Sequence, residues 1–559
     1  MPENWEGTWH HVAGTYDGTR LKLFVDGREM VSKAFEKDLL PTPFPVCIGK
    51  NPQIHYDDHR GKLSSASFDR VAIFDRALPI DSLYGDHPEL SRSALLWLDF
   101  EDLHEGDPFL SLGIAARSYG LVWPDRSVQP ELWQLKKSGQ PVRVEALDLE
   151  TGLVRIYNQH HFKNLNELDA SWKLSVDGKR ISRGNLDLDL APGEYVEKEL
   201  SFKKPDIKPG VHYWLEINFK LREELSWAPD GHEVAWEQFA MPWFTEPQAE
   251  EEDQPEINII ETDEDLSLLG ENFLYYFSKQ TGFMESMAYE ETILLESPPV
   301  FNVWRAPLVN EMDHWGTWKT GLGFENEAMG RQLANGWYAT GLDRLRNEVE
   351  NFQVNPLGDD GVEIVVRSTC ANLAYTTGFG LCYTYRIEGD GTIHIQTDVE
   401  PLGQLTGWIP KMGLQMDLPD NFADLQWYGR GPQENYPDRK SGYRMGVYQS
   451  DADSEYVPYL IPQDYGNKSD VIWASVSNDT GIGLRVVSEE HFNVSLQKYS
   501  TANLERARYP FQLKERESLT LSLDHAVSGV GGTAVSVMNR YRVLPGTFSF
   551  DFTLIPFRK

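Results

Sequence analysis

Short runs in which apolar and polar residues alternate recur along this chain. Several close on a turn dipeptide: LKLFVDGREMV around Asp26-Gly27, LSVDGKRI around Asp177-Gly178 and YRIEGDGTIHIQTDV around Asp390-Gly391. Alternation gathers apolar side chains on one strand face, and Asp-Gly suits a tight reversal, so each run predicts a β-hairpin. Helical periodicity is scarce, ENEAMGRQLANGW from Glu325 to Trp337 being the best candidate. Strands far outnumber helices, which predicts an all-β chain built of sandwiches.

At 559 residues the chain exceeds what one core organises. Two composition breaks divide it: EDLHEGDPFLS, Glu101 to Ser111, and EPQAEEEDQPE, Glu246 to Glu256, which is too acidic to bury apolar area and reads as a solvated linker. The predicted modules are residues 1–105, 115–245 and 257–559, with 246–256 as linker and no internal repeat at a fixed period. In the second module VRIYNQHHFKNLNELDASWKLSVDGKRI and LDLAPGEYVEKELSF supply four or five alternating strands, a sandwich by pattern alone. Trp133 and Trp172 are expected in its core or at a domain contact.

Charge narrows the partners. Against 52 basic residues stand 86 acidic ones, a net charge of -34, which repels nucleic acid and anionic membranes. No apolar run approaches the roughly 20 residues of a membrane span, and MPENWEGTWHH contains no signal-peptide core. The reading is a soluble chain whose parent is cytoplasmic or periplasmic, the choice left open. Cys47, Cys370 and Cys382 form no Cys-x-x-Cys pair and are expected to be small core residues. The cluster HYDDH, His55 to His59, matches no established ligand spacing, so a polar loop is preferred to a metal site.

Three stretches of the chain resemble two known families. WHHVAGTYDGTRLKLFVDGR from Trp9 to Arg28, CIGKN from Cys47, FDRVAIFDRAL from Phe68 and LLWLDFE from Leu95 resemble the concanavalin-like, laminin-G-type jelly roll. Such a domain supplies several strands before its Trp-His-His strand, and eight residues precede Trp9 here. Only part of the sandwich is therefore expected, with Val12, Leu21, Leu23 and Val25 on a partly open face, the rest coming from a longer polypeptide or a second chain.

YGLVWPDRSVQPELWQLKKSGQPVRVEALD, Tyr119 to Asp148, is similar to the junction between the barrel and the fourth, immunoglobulin-like domain of glycoside hydrolase family 2 β-galactosidases; Gly120, Leu121, Pro124, Asp125, Arg126, Pro130, Glu131 and Lys136 stand in the family's order. Ala116 and Tyr119 occupy positions where relatives use Phe and Asn beside a sodium ion, and that site is not carried over. FNVWRAPLVNEMD at Phe301, WYGRGPQENYPDR at Trp427 and SGVGGTAVSVMNRYRV at Ser528 resemble the same enzymes' last domain, a large β-supersandwich that some bacteria make as a separate small subunit and that is mutarotase-like in fold.

The resemblance implies where chemistry sits and where it does not. Retaining glycosidases place two carboxyl groups about 5 Å apart, and the family mounts them on a (β/α)8 barrel. No such barrel and neither Glu-bearing segment is found, the pairs Asn166-Glu167, Asn310-Glu311 and Asn326-Glu327 lying in accessory contexts, so no catalytic residue and no metal ligand is assigned. Any Mg and Na belong to the parent enzyme's barrel. Gly429, Gly431 and Pro432 predict a loop unlike ordinary strand, in which Arg430, Glu434, Asp438 and Arg439 bring opposite charges together. With Asn435, and with Trp304 and Arg305 of the WRAP stretch, they form a structural staple, with substrate contact as the other reading; Leu308 and Val309 replace polar residues of relatives. Gly531-Gly532 lacks the following Trp that relatives stack on the aglycone sugar, leaving Met538, Asn539 and Tyr541 as rim candidates. His491 with Glu489 or Glu490 is the nearest approach to a mutarotase pair. The function read from all this is the accessory portion of a β-galactosidase hydrolysing terminal non-reducing β-D-galactose, partnered by a barrel-containing chain or segment, with oligomer formation open. The alternative is a free-standing lectin-like protein.

Overall fold

The computed structural model describes residues 8–35, 70–84, 90, 93–98, 121–123, 125–247, 254–312, 333–358, 361–374, 376–403, 405, 407–507, 509–531 and 537–559. Two compact units divide the chain, Met1–Ser111 and Leu112–Lys559. The described structure is dominated by antiparallel β-sheet, and no described helix is long and apolar enough to cross a membrane.

In the first unit, Val12–Tyr16, Arg20–Val25 and Arg28–Ala34 form a three-stranded sheet, and Val71–Ile73 pairs with Leu96–Leu98. Asp26 and Gly27, at φ 50° and 76°, make the tight turn that the sequence predicts. Val12, Leu21 and Leu23 are exposed as expected, but Val25 is buried with its neighbour Phe24. The register shift opposite Leu23 and Phe24 lies on the next strand, where Met30 is the extra residue, so Phe24 and Val25 keep the alternation and are buried on opposite faces of the sheet.

The second unit opens with the helix Pro130–Ser138 and continues as a two-sheet sandwich. One sheet orders Tyr195–Glu199, Leu153–Asn158 and Val142–Asp148; the other orders Glu233–Ala240, Tyr213–Leu221, Leu168–Val176 and Lys179–Leu186. Val154, Ile156, Leu174, Leu215, Ile217 and Trp172 fill the space between them. Trp133, by contrast, exposes its ring from the helix. Asp177-Gly178 is again a two-residue turn, with Val176 opposite Lys179.

From Asn258 onward a five-stranded meander, Asn258 to Ile293, packs with a twelve-stranded sheet. Their side chains merge into one continuous core that includes Tyr275, Phe277, Tyr383, Tyr385, Leu414, Trp427 and Leu523. The hub of the large sheet is Ile482–Gln497, 16 residues long, which pairs with Lys468–Ser477, Ser518–Val527 and Phe548–Arg558. Asp390-Gly391 does reverse the chain, but in a wider loop between the partners Ile387 and Ile393, closed by Glu388 donating to Thr392.

Two smaller expectations need correcting. Cys370 is buried, yet Cys382 is only half-buried, because on its strand Leu381 and Tyr383 take the inward positions. The described helix near the proposed one is Leu333–Thr340; most of Glu325 to Trp337 lies outside the described residues, as does Cys47.

Candidate functional site

The strand Asp424–Gly431 carries Trp427, fully buried, into the supersandwich core. Gly429 and Gly431 lie within this regular strand, opposite Gly446 and Arg444, and not in a loop as the sequence suggested. Their lack of a side chain is still needed. A Cβ on Gly431 would sit 2.7 Å from the Tyr448 ring and 2.9 Å from the Trp427 ring. The chain leaves the strand at Pro432 and folds into a compact loop through Tyr443.

Each polar residue of that loop reaches a different part of the unit. Asn435 is fully buried; its amide donates to the Arg430 and Gln433 carbonyls, at 3.2 and 3.1 Å, and its side-chain oxygen accepts from the Ser469 amide at 2.9 Å. Glu434, also buried, accepts from Arg439 at 2.6 Å, from the Gly466 amide at 2.8 Å and from the Tyr459 hydroxyl. The second arm of the Arg439 guanidinium grips Glu131, on the first turn of Pro130–Ser138. Burial opposes the charge on Arg439, but Tyr459, Glu131 and Glu434 outweigh it and hold its pKa above the ordinary arginine range.

The expected pairing within the motif is only partly present. Arg430 leaves Asp438 alone and binds Asp470 at 2.5 Å, besides the Tyr443 carbonyl at 2.8 Å. Among the described residues Asp438 pairs with no cation; its carboxylate accepts from the Val530 and Gly531 amides at 3.0 and 2.8 Å. Backbone amides thus occupy it as fully as an arginine would.

The segment 528–531 is where all three supersandwich motifs meet. Arg305, without solvent contact, pairs with Glu311 at 2.7 Å and donates to the Ser528 carbonyl at 3.2 Å. Asn310 donates to the Val530 carbonyl at 2.9 Å. Glu311 turns back to accept from the Leu308 amide, and Val309 donates its amide to Gln463, so the apolar replacements at 308 and 309 act through their main chain. Trp304 packs edge-on against Trp337 and tilted on Tyr338. The Tyr541 carbonyl accepts from the Gly529 amide, tying the turn Asn539–Tyr541 to the same segment. Of the rim candidates on it, Met538 and Asn539 are exposed and Tyr541 half-buried, with Arg540 lying 4.7 Å over the Tyr541 ring.

The junction helix is seized at several further points. Tyr443 donates to the Pro130 carbonyl at 2.6 Å, Gly442 to Gln134 at 2.9 Å, and Gln134 to Ser441 at 2.8 Å. Trp123 packs edge-on against Tyr459. A Cβ at Gly442 would lie 2.8 Å from the Gln134 Cα, which is why a glycine stands there. Sequence reasoning quoted Glu131 among the family positions but gave it no role, and it missed Tyr459 and Asp470.

Other proposals resolve plainly. His491 lies 6.4 Å from the His212 ring and in the field of Asp470, whereas the Glu489 amide donates to Asp551. Asp524, paired with Lys411 at 3.2 Å, is pushed up to about 6 by burial. Among the described residues no three His, Cys, Asp or Glu converge as metal ligands. Ala116, Tyr119, Asn326, Glu327 and His55 to His59 lie outside the described residues.

These loops and sheets define an all-β, multi-module chain in which the 115–245 sandwich is joined to the supersandwich by buried polar contacts. Residues 269–554 match the β-galactosidase small chain, residues 154–242 β-galactosidase domain 4, and residues 3–82 the concanavalin A-like lectin/glucanase superfamily. The chain belongs to the β-galactosidase small-chain family. It is 30% identical over 415 residues to a β-galactosidase of Priestia megaterium, 29% over 416 to one of Vibrio cholerae and 31% over 416 to one of Lactobacillus delbrueckii subsp. bulgaricus. Each match covers 74% of this chain and 38% of the relative, so the chain spans well under half the length of these enzymes. Among solved structures it is similar to a GalM/aldose epimerase homologue from C. elegans, with TM-score 0.30 and 8% identity, covering 54% of this chain and 99% of that one.

Proposed function

We propose that this chain is the accessory portion of a β-galactosidase acting on terminal non-reducing β-D-galactose, completing and buttressing a barrel active site supplied elsewhere. One observation supports this most: the loop at 430–443 grips Pro130–Ser138, the helix within the stretch that resembles the family's barrel exit, through Glu131, Pro130 and Gln134. A barrel ending at that helix would be referenced to the supersandwich through these bonds. The carboxylates here are engaged in holding structure. Glu434, Glu311, Asp438 and Asp470 each accept from arginine, lysine or backbone donors, which suits a scaffold better than an acid/base pair needing separated pKa values.

On this reading Met538, Asn539 and Tyr541 shape the rim, and the segment 528–531 beneath them is held from three sides so that the rim keeps its position. Mg and Na would be held by the barrel. The test is reconstitution. The purified chain alone should leave a chromogenic β-galactoside intact, and adding the barrel-containing chain or segment should restore hydrolysis; turnover by this chain alone overturns the division of labour.

A further inference from the structure

The outer face of the four-stranded sheet in the 115–245 sandwich is divided in two. One half docks the strand Arg444–Asp451: Arg444 donates to Glu233 at 2.7 Å and Asn218 at 3.1 Å, pairs with Glu216 at 3.2 Å and lies 4.1 Å over the Trp236 ring. Lys137 also lies 4.1 Å from that ring, and Gln238 exchanges two hydrogen bonds with the Met445 main chain. The other half is open. It forms a concavity of about 930 Å³ with Arg444 and Glu233 at its edge.

Its charges do not cancel. Lys173 and Arg444 are matched by Glu216 and Glu233. Arg180, Arg183 and Lys220 also line it, and among the described residues none of the three has a carboxylate within ion-pair distance. Three unmatched cations around one hollow stand out in a chain of net charge -34. Strand register explains the grouping, because Arg183 stands opposite Lys173 and, one row along, Asn185 opposite Ser171 opposite Asn218. Amide and hydroxyl groups therefore lie in a row beside the cations.

This chemistry selects the ligand. Among the described residues Trp172, itself buried in the sandwich core, is the one large apolar residue in the lining, so the hollow lacks the aromatic and aliphatic anchors that a folded protein partner needs. The chain's overall charge disfavours a nucleic acid. What remains is a small, highly polar anion whose hydroxyls match the Asn185–Ser171–Asn218 row and whose acid groups meet the cations. We propose that this hollow is a non-catalytic binding site for an acidic oligosaccharide, one bearing carboxylate or sulfate groups. The assignment goes beyond the galactosidase reading and needs no barrel.

Calorimetric titration of the full chain with a sulfated galactan oligosaccharide, a galacturonate oligosaccharide, their neutral counterparts and inorganic sulfate tests it. At least one acidic oligosaccharide should bind, and the neutral ones at least about tenfold more weakly, the loss expected when charge-assisted contacts are removed. The variant R180E/R183E/K220E, altered only at exposed positions, should keep the wild-type melting temperature and lose about tenfold or more in affinity. Equal binding of neutral sugars, an unaffected variant, or no binding of either acidic sugar would overturn the proposal. Inorganic sulfate competing at the same concentration as the saccharide would overturn its saccharide part.

Discussion

Glu131 and Arg439 lie 308 residues apart in sequence and are joined side chain to side chain. The same guanidinium holds Glu434, so one arginine sets the junction helix against the loop that follows the strand Asp424–Gly431. Arg439→Met would leave Glu434 buried beside no cation, at a cost of about 3–5 kcal/mol. Glu131→Gln, at a side chain 34% exposed, should cost about 1 kcal/mol or less. Urea unfolding followed by tryptophan fluorescence measures both, and two equally small effects would show that the clamp does not hold the helix.

Gly442→Ala is expected to push the junction helix away. The new methyl would stand 2.8 Å from the Gln134 Cα and 3.0 Å from the Trp133 carbonyl, main-chain atoms that no rotamer change can move. A loss of about 1–3 kcal/mol should follow, with new protease cleavage in 121–138. Gly336→Ala, inside the helix Leu333–Thr340 and with no described atom within 4 Å of its Cβ, serves as the contrasting control and should gain up to about 1 kcal/mol.

Asp438→Ala removes the acceptor shared by Val530 and Gly531, at about 1–3 kcal/mol. Gly529→Ala should act on the same bond from the other side, since its Cβ would lie 2.5 Å from the Asp438 carboxylate. Hydrogen exchange is the direct readout. Both variants should speed exchange at 528–531, and unchanged protection there would remove Asp438 from the account of the rim.

Acid should loosen the contact between the 115–245 sandwich and the supersandwich. His212 stacks on Phe244 at 4.6 Å and faces His491, and burial lowers both histidines below the ordinary 6.5. Asp177 and Glu246 near His212, and Asp470 near His491, oppose the shift; Arg430 and Lys440 reinforce it at His491. Groups with lowered pKa favour the folded state while neutral, so their contribution is full above pH 6.5 and fades as pH falls through the folded-state values. Melting temperature should hold above about pH 6.5 and drop as pH falls below it, and His212→Phe with His491→Gln should flatten that drop. An identical slope in the double variant would exclude the pair.

What was legible in the sequence was local. Asp26-Gly27 and Asp177-Gly178 announce their turns because two adjacent residues carry the whole signal. The charges of WYGRGPQENYPDR were visible too, but their partners were not, since Glu131 and Asp470 approach only after separate strands have packed. Gly429 and Gly431 looked like loop residues for the same reason: the rings of Tyr448 and Trp427 that exclude a side chain at Gly431 come into place through pairing. Arg444 over Trp236 belongs to an interface that neither alternation nor spacing encodes. Cys382 shows that counting cysteines does not decide which strand face each takes.

The hub strand Ile482–Gln497 carries a kinetic consequence. Phe548–Arg558 lies between it and Ile393–Gly403, so the large sheet stays split, with two long unpaired edges, until this strand, the last of the sheet in sequence order, arrives to bridge them. Closing such distant pairings is slow, and the waiting edges are sticky toward other copies. Yield on refolding should therefore depend more on dilution and on how fast Phe548–Arg558 finds its slot than on how stable the finished protein is.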